Sequence, residues 1–106
     1  MRFESYDMDV KAAVANGDGL DVRQLVNIVV GLDPGTMVGT TVASKLQIQG
    51  LQKIDGTKWL NIGDAVSAEA APVAVEGAWA KLRIATTEFN TGVPAAVLSA
   101  FNVRSA

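Results

Sequence analysis

Lys45–Gly63, KLQIQGLQKIDGTKWLNIG, decides the fold class of this chain. Leu46 and Ile48 alternate with Lys45, Gln47 and Gln49, the period of two that puts apolar side chains on one face of a strand and polar ones on the other. Asp55-Gly56 breaks the pattern with a dipeptide that suits a type I′ hairpin turn. Lys58–Ile62 resumes it, and Gly63-Asp64 ends that second strand. Gly77–Thr86, GAWAKLRIAT, repeats the theme after a turn at Glu76-Gly77. Leu82 and Ile84 face one way there. The alternation extended backward puts Trp79 with Lys81 and Arg83 on the other face, pointing away from the core. Both segments read as antiparallel strands with one buried side.

Working outward, Asn16-Gly17-Asp18-Gly19 and Asp33-Pro34-Gly35 are turns, because these residues supply left-handed or preset backbone angles. Between them Val22–Gly31 is rich in β-branched residues and reads as a strand, with Val26, Ile28 and Val30 set against Leu25, Asn27 and Val29. Thr40–Gln49 forms the next strand. Pro72 argues against a central strand position near Ala65–Ala71, and Val73–Val75 resumes extended structure. Trp79–Thr87 follows, and Asn90-Thr91-Gly92 turns the chain into Val93–Val103. Val10–Ala15 and Ala65–Ala71 are the windows with helix-favouring composition, and both are too short to stand alone. Turn signals every ~8 to 15 residues predict an all-β protein: one antiparallel β-sandwich or jelly-roll-like domain of about seven or eight short strands, spanning residues 1–106. Met1–Asp9 alternates loosely and reads as a first strand or as an extended N-terminal arm reaching a neighbouring subunit.

Composition narrows the function classes. The 106 residues include neither histidine nor cysteine. That removes Ser-His and Cys-His nucleophile pairs, imidazole proton shuttles and zinc sites built on His or Cys. Ser44, Ser67, Ser99 and Ser105 therefore have no histidine to activate them. Glu69, Glu76, Glu88, Asp55 and Asp64 lie in or beside turns and read as solvated charges. Asn16–Asp21 resembles part of an acidic calcium loop but supplies only Asp18 and Asp21, where calcium takes six or more oxygens. No enzymatic activity, metal or cofactor is expected. The net charge is −2 and the basic residues are scattered singly, so nucleic acid is not an expected partner. Residues 1–15 show no apolar leader segment, and no apolar run approaches the ~20 residues that cross a bilayer. Without disulfides to form, synthesis in a reducing cytoplasm is expected.

Two features point to an assembly. Charged residues make up 19% of the chain against 49% hydrophobic, a sparse charged surface for a monomer this small. The last strand is also apolar on both faces. Ala95, Val97, Ser99, Phe101 and Val103 lie on one side; Ala96, Leu98, Ala100 and Asn102 lie on the other. A two-layer sandwich buries only one face of each sheet, so a second burial partner is expected, most economically another copy of the chain. Val97, Phe101 and Val103 are its candidate contacts. Trp79, Lys81 and Arg83 are a second candidate set, since interface centres favour tryptophan and arginine. Trp79 is also readable as a sugar-stacking platform or a turn-packing residue, and Trp59 as core or strand-end packing.

The second half of the chain resembles a pattern of small tailed-bacteriophage virion proteins. In it an L-x-I-x-G strand (Leu46, Ile48, Gly50) leads to a D-G-T-x-W hairpin (Asp55, Gly56, Thr57, Trp59). A G-x-W-x-x-L-R-I segment (Gly77, Trp79, Leu82, Arg83, Ile84) and T-x-F-x-x-G (Thr87, Phe89, Gly92) follow. Leu51–Ile54 makes the first hairpin arm longer than in the compact pattern. The resemblance implies a head decoration (cement) protein with a β-sandwich fold. Such a protein sits on the capsid exterior, usually as a trimer, and binds the major capsid protein. A carbohydrate- or receptor-binding module of a tail or fibre, and a head–tail connector component, are the alternatives it leaves open.

Overall fold

The computed structural model describes residues 1–35, 44–67, 71–89 and 93–104. The turn expected at Asn90–Gly92, the start of the strand expected from Thr40, and Glu69 and Ser105 lie outside the described residues. Within them the protein is all-β and forms two antiparallel sheets packed together. Nine strands are present: β1 (Arg2–Met8), β2 (Ala15–Asn16), β3 (Leu20–Asp21), β4 (Leu25–Asp33), β5 (Lys45–Leu51), β6 (Trp59–Val66), β7 (Val73–Ala74), β8 (Lys81–Glu88) and β9 (Ala95–Asn102). Three of them are two-residue pairings, which raises the number above the seven or eight expected. One sheet has the order β1-β9-β4-β7, and the other β2-β8-β5-β6 with β3 also paired to β8. Met1–Asp9 is therefore not free of the domain: β1 pairs along its whole length with β9, from Arg2↔Asn102 to Met8↔Ala96.

The alternation read from the sequence builds the core. Leu46 and Ile48 of β5 and Leu82 and Ile84 of β8 are buried from one sheet. Ile28, Val30 and Leu32 of β4 and Ala96, Leu98 and Ala100 of β9 are buried from the other. Each fully buried Leu, Ile or Val contributes about 1.5–3 kcal/mol relative to exposure. The links between sheets close the ends. Val22 and Val75, on the β3–β4 and β7–β8 links, are both buried in this cluster.

Three features depart from simple alternation. First, β4 carries a bulge: Val26 faces Phe101 and Val29 faces Ser99, so Asn27 and Ile28 together oppose Ala100. Asn27 takes the left-handed conformation at φ 54, which asparagine tolerates better than other side-chain-bearing residues. The extra residue reverses the parity, so Val26 is exposed while Ile28 and Val30 are buried. The three do not share a face as the sequence pattern suggested. Second, β6 does not end at Gly63 but bulges through it, with Ile48↔Ile62 and Leu46↔Val66 on either side. The buried Gln47 side chain holds the bulge, its amide N–H group donating to the Ile62 and Gly63 carbonyls at 3.2 and 3.1 Å. Third, β5 and β6 are joined by residues 52–58 rather than by a two-residue turn. The tight turn there is Lys53–Gly56, closed by the Gly56 N–H on the Lys53 carbonyl at 2.9 Å. Gly56 thus occupies the fourth turn position, which needs no positive φ, and Asp55-Gly56 is not a type I′ turn. Leu51 ends β5, so Gln52–Ile54 belong to the loop and do not lengthen the arm.

The β3–β4 link is fixed by a local ion pair. The Asp21 carboxylate accepts the Arg23 Nε–H and Nη2–H at 3.0 and 2.6 Å and the Arg23 backbone N–H at 3.0 Å. The guanidinium first, then the backbone N–H, holds the Asp21 carboxyl at about 2, below the ordinary 3.8. A carboxyl whose folded value is lowered stabilises the fold above its unfolded value and ceases to do so as pH falls through the folded one. Both partners are exposed, so Asp21→Asn is expected to cost less than about 1 kcal/mol at pH 7. The gap between variant and wild type should close as pH falls from about 4 to about 2, which urea unfolding at a series of pH values reads directly.

Candidate functional site

The six residues singled out from the sequence fall in three places. Trp79 is the correction among them. It lies ahead of β8, whose pairing begins at Lys81, and Gly77 at φ 94 bends the chain just before it. Strand alternation therefore cannot be carried back to residue 79. The ring turns inward, packs against the core cluster and covers Gly50, a residue without a side chain to obstruct it. Its Nε1–H donates to the Glu76 carbonyl at 2.9 Å. Trp79 is half-buried turn packing, not an outward platform.

Val97, Phe101 and Val103 lie at the four-stranded sheet, with 41, 38 and 47% of their surface exposed. Val97 and Phe101 occupy the outer face of β9; Val103 follows in the turn beyond it, its N–H held by the Gln24 carbonyl at 2.9 Å. The register adds neighbours that the sequence alone did not connect. Phe101 stands between Phe3 of β1 on one side and Val26 of β4 on the other. The Phe3 and Phe101 rings meet edge to face with centroids 5.7 Å apart, an arrangement that favours both. Phe3 is 61% exposed. Its odd position in the alternating MRFESYDM is the signal that could have placed it on this face. The result is an aromatic and aliphatic patch across β1, β9 and β4, with Ser5 and Ser99 hydrogen-bonded beside it at 3.1 Å.

Lys81 and Arg83 lie on the opposite surface of the molecule, the outer face of the five-stranded sheet. Arg83 stacks on Trp59, not on Trp79: its guanidinium carbon is 4.1 Å from the Trp59 ring centroid. The Arg83 Nε–H donates to Gln49 Oε1 at 2.8 Å, and Gln49 Nε2–H donates to Asn61 Oδ1 at 3.0 Å. These bonds form a ladder across β8, β5 and β6. Partial burial pushes the Arg83 guanidinium down from its ordinary value. Trp59 is half-buried at the start of β6, as its strand-end reading expected. Gln49, Asn61 and the Trp59–Arg83 stack were not identified from the sequence, because their meeting depends on a three-strand register.

A cleft of about 490 Å³ opens between the β3–β4 and β7–β8 links, lined by Val22, Leu25, Ile28, Glu76 and Trp79 among others. Arg23 at its rim is already paired with Asp21. Among the described residues no group of three or more His, Cys, Asp or Glu is placed to hold a metal ion. Comparison of the chain with protein-family models, curated proteins and solved structures finds no match.

Proposed function

We propose that this chain is a non-enzymatic structural protein that works in an assembly and docks through the outer face of its four-stranded sheet. The observation that carries this reading is the exposed patch of Phe3, Val26, Val97 and Phe101, with Val103 nearby. Apolar side chains gathered across three adjacent strands mark a contact surface more often than a solvated one. The aromatic pair at its centre has the character of an interface anchor. Its resemblance to tailed-phage virion proteins gives the reading its specific form: a capsid decoration protein, self-associating as a trimer and binding the major capsid protein from outside. The inward packing of Trp79 withdraws one of the two aromatics on which a sugar-binding alternative would rest.

Phe101→Asp places a charge in the middle of the patch without disturbing a buried residue. Light scattering behind size-exclusion chromatography is expected to show an oligomer for the wild type and a monomer for this variant, with the far-UV circular dichroism of the fold unchanged and a thermal midpoint that no longer rises with protein concentration. A wild type that stays monomeric across the accessible concentration range would sink the self-association. Electron microscopy of a native particle carrying the chain would then decide its position in the virion.

A further inference from the structure

The ladder on the five-stranded sheet has a fixed direction. A guanidinium only donates, so the Gln49 atom facing Arg83 Nε is the oxygen, and its amide nitrogen faces Asn61. Asn61 must then accept with its own oxygen, which leaves the Asn61 Nδ2–H group unspent. Arg83 Nη1 and Nη2 are also unspent: no described residue forms an ion pair with Arg83, and its one hydrogen bond uses Nε. The positive charge is thus held in place by Gln49 and the Trp59 ring, both neutral, and has no carboxylate of its own. Its two terminal nitrogens form the planar fork that grips a carboxylate in bidentate fashion.

The surroundings choose among carboxylate ligands. The large apolar side chains that are exposed among the described residues lie on β1, β4, β9 and in links, and none lies on β5, β6 or β8. A protein–protein interface is anchored by large apolar or aromatic side chains at its centre, and among its described residues this face exposes none of the large aliphatic or aromatic kind. It offers side-chain amides, a half-buried indole and a second cation, Lys81, whose Cδ lies near Trp59 at Gly19. Amide donors beside an aromatic edge suit vicinal hydroxyls on an apolar ring. Strands β8 and β6 stand two spacings apart, about 9.5 Å, a span of one or two sugar rings. We infer that this face binds an acidic saccharide, of the hexuronate or sialic-acid class. Arg83 takes its carboxylate, the Asn61 amide a nearby hydroxyl, and the exposed part of Trp59 its apolar edge. The site is on the sheet opposite the proposed assembly face, so the two readings stand or fall separately.

The test is a titration of ¹⁵N-labelled protein with glucuronate and with N-acetylneuraminate, following the Trp59 indole N–H and the Arg83 Nε–H. Glucose, acetate and a hexaglutamate peptide serve as competitors of different chemistry. Saturable shifts are expected with at least one acidic sugar, at concentrations about fivefold or more below those at which glucose or acetate act. Arg83→Gln should abolish them. Arg83→Lys, which keeps the charge but loses the fork, should weaken binding by about tenfold. Asn61→Ala, at an exposed position, should weaken binding by about threefold with the melting midpoint unchanged, and keeps the test open if the Arg83 variants do not fold. Phe101→Asp should bind as the wild type does. Absence of saturation with both acidic sugars, equal response to acetate, or tighter binding of hexaglutamate would each overturn the assignment.

Discussion

Gly17→Ala is expected to cost about 3 kcal/mol or more, a large share of the stability of a domain this size. Gly17 is buried directly after β2 at a point where two backbones nearly touch. A methyl group there would overlap the Asp9 carbonyl oxygen, stand 2.9 Å from the Asp9 carbonyl carbon and 3.1 Å from the Ile84 carbonyl oxygen. None of these is the tip of a flexible side chain. Neither partner is free to retreat. The Gly17 N–H is bonded to the Ile84 carbonyl at 2.8 Å, and the Asp9 carboxylate accepts the Asp18 N–H at 2.8 Å and the Lys11 ammonium at 2.9 Å. The Asp18 N–H, then Lys11, holds the Asp9 carboxyl below its ordinary value. Two other glycines calibrate the result. Gly31→Ala meets only the Val97 carbonyl oxygen at 3.9 Å, and Gly63→Ala meets nothing within 4 Å but must adopt φ +68. The first is expected to change stability little and the second to cost about 1–2 kcal/mol from backbone strain alone. Denaturant unfolding should rank the losses with Gly17→Ala largest, Gly63→Ala intermediate and Gly31→Ala smallest. A Gly17→Ala midpoint close to that of Gly31→Ala would show that the two backbones are not in contact.

Among the glycine variants Gly50→Ala is expected to be the second most damaging, and its effect should vanish in one particular background. A methyl group on Gly50 would press into the Trp79 ring, 2.6 Å from Cδ2 and 2.7 Å from Cζ3. The ring cannot withdraw without breaking its Nε1–H bond to the Glu76 carbonyl and uncovering that end of the core. A cost of about 2–3 kcal/mol follows from overpacking, with a red shift of tryptophan emission as the indole moves towards water. Trp79→Ala alone should cost about 3 kcal/mol through lost burial. In the Trp79→Ala protein the added methyl has an empty site to enter, so the double variant should be no less stable than Trp79→Ala by itself. The double-mutant cycle then gives a coupling above about 1 kcal/mol. Strict additivity would mean that Trp79 does not lie over Gly50.

The contrast between these residues shows what local pattern can and cannot convey. The strands β5, β8 and β9 were legible because alternation is written within six or eight consecutive residues: Leu46/Ile48, Leu82/Ile84 and Ala96/Leu98/Ala100 are all buried as the period requires. Where the backbone adds a residue, the pattern misleads. Asn27 reverses the facing of Val26 relative to Ile28, and Gly77 turns Trp79 inward although it stands two residues before Lys81. Close approaches leave even less trace, since Gly17 reads as an ordinary turn glycine until Asp9 is seen against it. The face that holds Arg83 was half legible. Its polar residues alternate correctly, but the Asn61–Gln49–Arg83 order follows from the β6-β5-β8 register, which no single segment contains.

That same dependence on register governs the order in which the domain comes together. In the four-stranded sheet β9 lies between β1 and β4, and the pair Ser5–Ser99 joins positions 94 apart in the chain. The β5–β6 hairpin, by contrast, closes over residues 52–58. Folding should therefore begin at the hairpin, and β1 must remain unpaired until β9 arrives. Closing so large a loop draws on entropy before any contact repays it, which places the domain among the slow, millisecond-to-second folders. During that interval β4 has an unpaired edge on its β9 side, and the apolar side chains of β9 are still in water. A newly made chain is thus most prone to aggregate in the time between completion of β4 and arrival of β9.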